Sequence, residues 1–148
     1  MISIDTAPGQ SFPADLLERA AQAALAFSGA DDADLSLVVT DDAHIQNLNR
    51  DFLHQDAPTD VLAFPADESD PETGRHYLGD VIISLPRATG QARERGHPVE
   101  AEVQLLVVHG ILHLLGHDHA GQEDKAAMWA AQTVILEKLG ISPTIVHE

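Results

Sequence analysis

The sequence has no cysteine. Disulfides are therefore excluded, as is every thiolate metal site. A tight transition-metal site in this chain has to be built from histidine with aspartate or glutamate. The absence also fits a reducing compartment. Basic residues are scarce: eight Lys and Arg stand against 24 Asp and Glu, a formal net charge of −16. Such a surface repels nucleic acid at long range, because binding there rests largely on neutralising phosphates. The simplest origin of the excess acid is a solubility or lineage-wide bias. An RNA-related role must then rest on a local cationic site, to which a bound metal would contribute. Long apolar runs are missing too. The longest, LLVVHGILHLL (105–115), is too short and too rich in histidine to span a bilayer. The N-terminal MISIDTAPGQSFPADLL lacks the basic-then-apolar order of a signal peptide. These absences lead to the expectation of a soluble, cytoplasmic protein. No internal repeat or low-complexity linker is visible. A chain of 148 residues, 44% of them hydrophobic, suits one domain (1–148) with a real core.

What is present is an ordered series of elements. ISIDT near the start alternates weakly, as a short edge strand does. Pro13 to Phe27 has proline at its start and apolar residues at helical spacing, and Gly29 with an acidic turn stops it. LSLVVT (35–40) reads as a strand. Asp41 or Asp42 then caps the helix DDAHIQNLNRDFL, with Ile45, Leu48 and Phe52 on one face. DVLAF (60–64) reads as a second strand, PADESDPETGR (65–75) as a polar, turn-rich loop, and YLGDVIIS (77–84) as a third strand. Pro86 opens a helix to about Arg95, Gly96-His97-Pro98 breaks it, and a long helix runs to Leu115. A last helix covers roughly Gln122 to Leu139. The order β-α-β-α-β-β-α-α-α is no regular βαβ alternation. It predicts an α+β domain, a small mixed sheet of about four strands covered by about five helices. The helix from Pro98 is half polar at EAEVQ and apolar nearly all round at LLVVHGILHLL, which places it in the middle of the protein.

Four histidines stand in eleven residues of that helix and its exit, HGILHLLGHDH (109–119). His109 and His113 are four apart, hence one turn apart on one helix face, about 6 Å along the axis. Two imidazoles so placed can converge on one ion. A third ligand must come from His117 or His119. On a continued helix His117 would stand about 12 Å from His109, too far to share an ion comfortably, and His119 would point away. Gly116 resolves this, since a glycine just past a helix takes the left-handed conformation that ends it. The chain then folds back and can present His119. The expected set is His109, His113 and His119, on one metal ion. Three nitrogen ligands leave a fourth position open, the pattern of a catalytic site. In the peptidase pattern HExxH a glutamate follows the first histidine as general base. Here that position is Gly110, whose plainer reading is close packing.

These residues resemble a known family. HGILHLLGHDH is similar to the H-G-x-L-H-L-x-G-x-D-H signature of the YbeY family of bacterial rRNA maturation factors and metal-dependent endoribonucleases. DAPTDVLAFP (56–65) resembles its D-x-P-T-[DN]-V-L-[ST]-F-P, LGDVIIS (78–84) its L-G-D-I-x-I-S, and MWAAQTVILEKLG (128–140) its M-x-x-x-Q-x-x-[IL]-L-x-x-L-G. The motifs stand in the expected order from about residue 34 to 140. The resemblance implies an α+β fold with the metal helix at its centre and zinc on His109, His113 and His119. It also implies cleavage of single-stranded RNA in 16S rRNA 3′-end maturation and ribosome quality control. The implied partners are rRNA and the small ribosomal subunit, with a ribosomal protein or assembly GTPase as a further candidate. Many members carry an arginine three residues before the Asp of D-x-P-T. Here that position is Leu53, and Arg50 lies one turn earlier as a candidate substitute. Asp118 is a candidate to support a ligand imidazole, with a turn or helix-capping role as its alternative. Thr59 and Asp60 are candidate substrate contacts, with local turn bonding as theirs. Asp80 either faces the cleft or ends a bulge beside Gly79. Arg87, Arg93 and Arg95 read as a solvated face and as the best source of a phosphate contact. Two further readings remain: an assembly factor whose zinc is structural, suggested by the acidic surface and Leu53, and a zinc peptidase, which Gly110 disfavours.

Overall fold

Leu35, Leu37 and Val39 alternate along one strand, and Val81 and Ile83 along another, so one face of the sheet they build is apolar and buried. The strands are β1 (Ile2–Thr6), β2 (Asp34–Thr40), β3 (Val61–Ser69) and β4 (His76–Ser84), side by side in the order β1-β2-β4-β3. β1, β2 and β4 run parallel, and β3 runs antiparallel to β4. The helices are α1 (Ala14–Phe27), α2 (Asp42–Leu53), α3 (Leu85–Arg95), α4 (Val99–Leu114) and α5 (Gln122–Lys138). The structure is a computed structural model and describes residues 1–116 and 122–141. The described residues form the expected α+β domain, a mixed sheet of four strands with five helices. Among the described residues, no helix is long and apolar enough to cross a membrane.

Four helices share the apolar face. Leu17 and Ala21 of α1, Ala88 of α3, Val107 and Ile111 of α4, and Met128 and Ile135 of α5 pack into one cluster with the β2 and β4 residues. Eleven of the sixteen residues of α4 are buried, as its all-round apolar sequence requires of a central helix. Each fully buried Val, Leu or Ile there stabilises by about 1.5–3 kcal/mol. Gly110 lets α4 lie directly on β4: a Cβ at that position would stand 2.6 Å from Cγ1 of Val81. On the opposite face α2 packs on the sheet through Ile45 against Leu62 and Ile82. Asp41 caps α2 by accepting from the backbone N–H of His44 at 2.9 Å. Phe52, expected beside Ile45, is instead 64% exposed, with its ring edge-on to that of Phe64 on the edge strand, at 5.6 Å.

The stretch expected as a loop after Phe64 departs from the sequence reading. β3 continues through Pro65 to Ser69, and only the following turn leaves the sheet. Proline is tolerated because β3 is an edge strand, where one missing N–H costs little. The β3–β4 register shifts between Pro65 and Glu68, and the β2–β4 register between Asp34 and Ser36. Gly79 sits at this irregularity with φ +138°, and a Cβ on it would lie 2.1 Å from the carbonyl oxygen of Phe64. The turn closes when Asp70 accepts from the N–H of Glu72 and of Gly74, both at 2.8 Å.

Candidate metal centre

α4 carries His109 and His113 on successive turns, half-buried among Val108, Ile111 and Leu112. Their Nε2 atoms face each other at 3.2 Å. Two nitrogens bound at about 2.0–2.1 Å to one tetrahedral ion stand about 3.3–3.4 Å apart, so the pair already has the spacing of two ligands. The far nitrogen of His109 completes the local geometry. Its Nδ1 lies 2.8 Å from Oε1 of Gln132 on α5. An amide oxygen only accepts, so Nδ1 carries the proton and Nε2 turns a lone pair toward His113. The donor set therefore fits a transition metal.

The exit of α4 follows the sequence reading up to Gly116. Leu115 ends the helix, Gly116 takes φ +98°, and its N–H bonds the carbonyl of His113 at 3.0 Å. His117, Asp118 and His119 lie outside the described residues. Among the described residues no group of three or more His, Asp or Glu is arranged to hold an ion.

A cleft of about 370 Å³ opens beside His109, with Asp60, Gln91, Arg95, Lys125, Trp129 and Gln132 among its walls. It brings Asp60 and His109 together. Thr59 donates its hydroxyl to Oδ1 of Asp60 at 3.3 Å, and the Asp60 carbonyl accepts from the N–H of Ser84 at 2.9 Å. Arg50 is not among the cleft residues. It sits half-exposed on α2, paired with Asp51 at 3.1 Å. Asp80 shares the alternation of Ile82, away from α4, and accepts from the Tyr77 hydroxyl, which also bonds Ser36 at 2.8 Å. Burial, then the Asp80 carboxylate, push the Tyr77 hydroxyl above its ordinary value. Asp80 thus serves the bulge. Arg87 reaches Asp42 at 3.3 Å and ties α3 to α2, whereas Arg95 reaches the cleft and donates to buried Glu102 at 3.3 Å.

Several cleft residues escaped the sequence reading. Lys125, Trp129 and Gln91 carry no signal as site residues, and Gln132 enters only as the fixed Q of the M-x-x-x-Q motif, with no role attached. One signal for Gln132 was available. Met128, Ala131, Gln132, Ile135 and Leu136 are the buried residues of α5, spaced as one helix face. A glutamine in the middle of such a face needs a partner. The Trp129 ring lies 6.1 Å from the His109 ring.

The family profile of Endoribonuclease YbeY matches residues 5–140. The chain belongs to that family. The match starts well before the motifs that carry the resemblance, so the family likeness includes the end of β1 and all of α1. An Endoribonuclease YbeY from Pelotomaculum thermopropionicum is 46% identical over 131 residues, 86% of each chain. Another from Aquifex aeolicus is 44% identical over 126 residues, 84% of this chain and 83% of that one. The solution structure of TM1509 from Thermotoga maritima is similar with a TM-score of 0.62 and 27% identity, over 95% of this chain and 92% of that one. The YbeY resemblance and the α+β fold are both borne out.

Proposed function

We propose that this chain is a single metal-dependent hydrolase domain that cleaves single-stranded RNA endonucleolytically, with one zinc ion held by His109, His113 and His119. The observation that carries the reading is the pair of Nε2 atoms 3.2 Å apart at a cleft that also holds Arg95 and Lys125, in a member of the YbeY family. Bound there, zinc would supply a Lewis acid and lower the pKa of a coordinated water toward about 7. The chain's own residues do the rest. Arg95, paired with Glu102, and Lys125 are the cations that line the cleft, where a phosphodiester could meet them beside Asp60. Asp60 lines the cleft, and Thr59 orients its carboxylate, so this pair is the proposed contact to the sugar or base. Arg50, outside the cleft on α2, is proposed to contact the strand beyond it. Asp118 is proposed to accept a hydrogen bond from a ligand imidazole and fix its orientation. The proposed substrate is rRNA precursor in the cytoplasm, in 16S 3′-end maturation and ribosome quality control, with the small subunit as partner.

One observation favours a second reading, an assembly factor with structural zinc. Phe52 and Leu53 are 64% and 47% exposed, an apolar surface suited to a ribosomal protein or an assembly GTPase. A peptidase reading is disfavoured further, because the contact of Gly110 with Val81 leaves no room for a catalytic glutamate. The deciding experiment incubates metal-loaded protein and its His113→Ala variant with rRNA precursor, with and without chelator. The substitution and the chelator should each lower cleavage by about 1,000-fold, the loss of roughly 4 kcal/mol of transition-state stabilisation. A zinc-loaded protein that leaves RNA intact would return the function to the assembly reading.

A further inference from the structure

We propose that Gln132 is the positioning residue of the histidine pair. Its Oε1 holds His109 in the Nδ1–H tautomer, and its neutrality does so without adding a negative charge beside a cleft that receives a polyanion. The inference rests on the metal-centre reading and says how this chain prepares that centre.

Three observations converge on it. Gln132 is 1% exposed, held on α5 among Met128, Ala131, Ile135 and Leu136, so its amide has little freedom. Its Oε1 lies 2.8 Å from Nδ1 of His109, while Nε2 of His109 lies 3.2 Å from Nε2 of His113. One proton on Nδ1 therefore decides which nitrogen of His109 is a ligand. The other half of the amide, Nε2 of Gln132, is buried and has no partner among the described residues. Leaving such a donor unpaired is unfavourable, because its lost bond to water is not replaced. A leucine would avoid that cost, so packing alone does not account for the residue.

Carboxylates are frequent partners of metal-binding imidazoles, and a glutamate would accept the same proton. It would also add one more negative charge to a chain already at −16, at a cleft where Asp60 already sets a carboxylate beside Arg95 and Lys125. An amide gives the acceptor without the charge.

The test begins with the metal-free wild type. Nitrogen-resolved NMR of the neutral histidine rings should show His109 protonated on Nδ1. A wild type with the proton on Nε2 overturns the proposal without recourse to any variant. Gln132→Leu should then mix the tautomers and weaken zinc binding by about 10–100-fold in competition with a chromophoric chelator. Gln132→Glu should restore zinc affinity to the wild-type level or above. Its KM for an RNA oligonucleotide should nevertheless rise several-fold with kcat held. Wild-type zinc affinity in Gln132→Leu, or a loss in Gln132→Glu as large as in Gln132→Leu, overturns the proposal. If Gln132→Leu does not fold, the wild-type spectrum and Gln132→Glu still decide. Failure of the metal-centre reading is told apart because the tautomer is read without metal: a wild type that takes up no zinc removes the centre itself.

Discussion

Two polar clusters hold histidines at opposite ends of α4, and they are closed in different ways. At the N-terminal end Glu102 is fully buried. Its Oε1 lies 2.5 Å from Nε2 of His97 and its Oε2 3.3 Å from the Arg95 guanidinium. Glu102 also sits in the first turn, where the helix dipole favours an anion. Toward the C-terminal end the acceptor is the Gln132 amide, and the two imidazoles face each other through Nε2. A carboxylate turns a histidine into one half of a structural lock. An amide orients a histidine without adding a charge, and here the ring's other nitrogen faces His113. The histidines at the two ends thus differ by partner: His97, just before α4, is locked by a carboxylate, and His109, within it, is oriented by an amide.

Glu102→Gln tests the first half of that contrast. It keeps the volume but sets an N–H against a donor, so a buried pair is broken. Destabilisation of about 3 kcal/mol is expected in urea unfolding, with the zinc content of the folded fraction unchanged. A variant that stays stable but loses zinc would mean that the two ends are one network.

Gly110→Ala probes the contact that holds α4 against the sheet between them. A Cβ would stand 2.6 Å from Cγ1 of Val81. Overpacking of about 1–3 kcal/mol should outweigh a helix-propensity gain of about 1 kcal/mol, for a net loss of about 1 kcal/mol. Combined with Val81→Ala the losses should fall short of their sum, which a double-mutant cycle measures. Additive losses would show that the helix is not held where Val81 touches it.

The smallest effect calibrates what an exposed carboxylate is worth beside Glu102. Asp34 accepts from Arg75 at 2.7 Å and from the Met1 ammonium, and these partners hold its pKa down to about 2. A carboxylate depressed in the folded state stabilises above its unfolded pKa, and loses that contribution as pH falls through the folded one. Asp34→Asn should therefore cost under about 1 kcal/mol above pH 4. The difference from wild type should vanish as pH falls from about 4 to 2. A difference that persists below pH 2 would assign the effect to something other than the charge.

The parts of the fold readable from sequence were those where one local signal decides. The apolar run through LLVVHGILHLL places α4 at the centre, the four-residue spacing pairs His109 with His113, and Gly116 ends the helix with the expected positive φ. What was not readable depended on partners far along the chain. β3 runs past Pro65 because edge pairing with β4 tolerates proline, a fact about strand order rather than composition. Arg95 looks like part of a solvated face until Glu102, seven residues on, is seen to be buried beneath it. Gln132 is one polar residue on an apolar face, and nothing local says that its partner is His109.

That last bond joins residues 23 positions apart, and it carries a consequence for biosynthesis. The histidines of α4 leave the ribosome well before α5 does. A nascent or truncated polypeptide ending before Gln132 has the motif in full and lacks the group that sets its proton. At about 5–20 residues per second, one to several seconds pass in which the histidines exist without their partner. The centre therefore matures only with the docking of the last helix, and the motif alone does not report a finished enzyme.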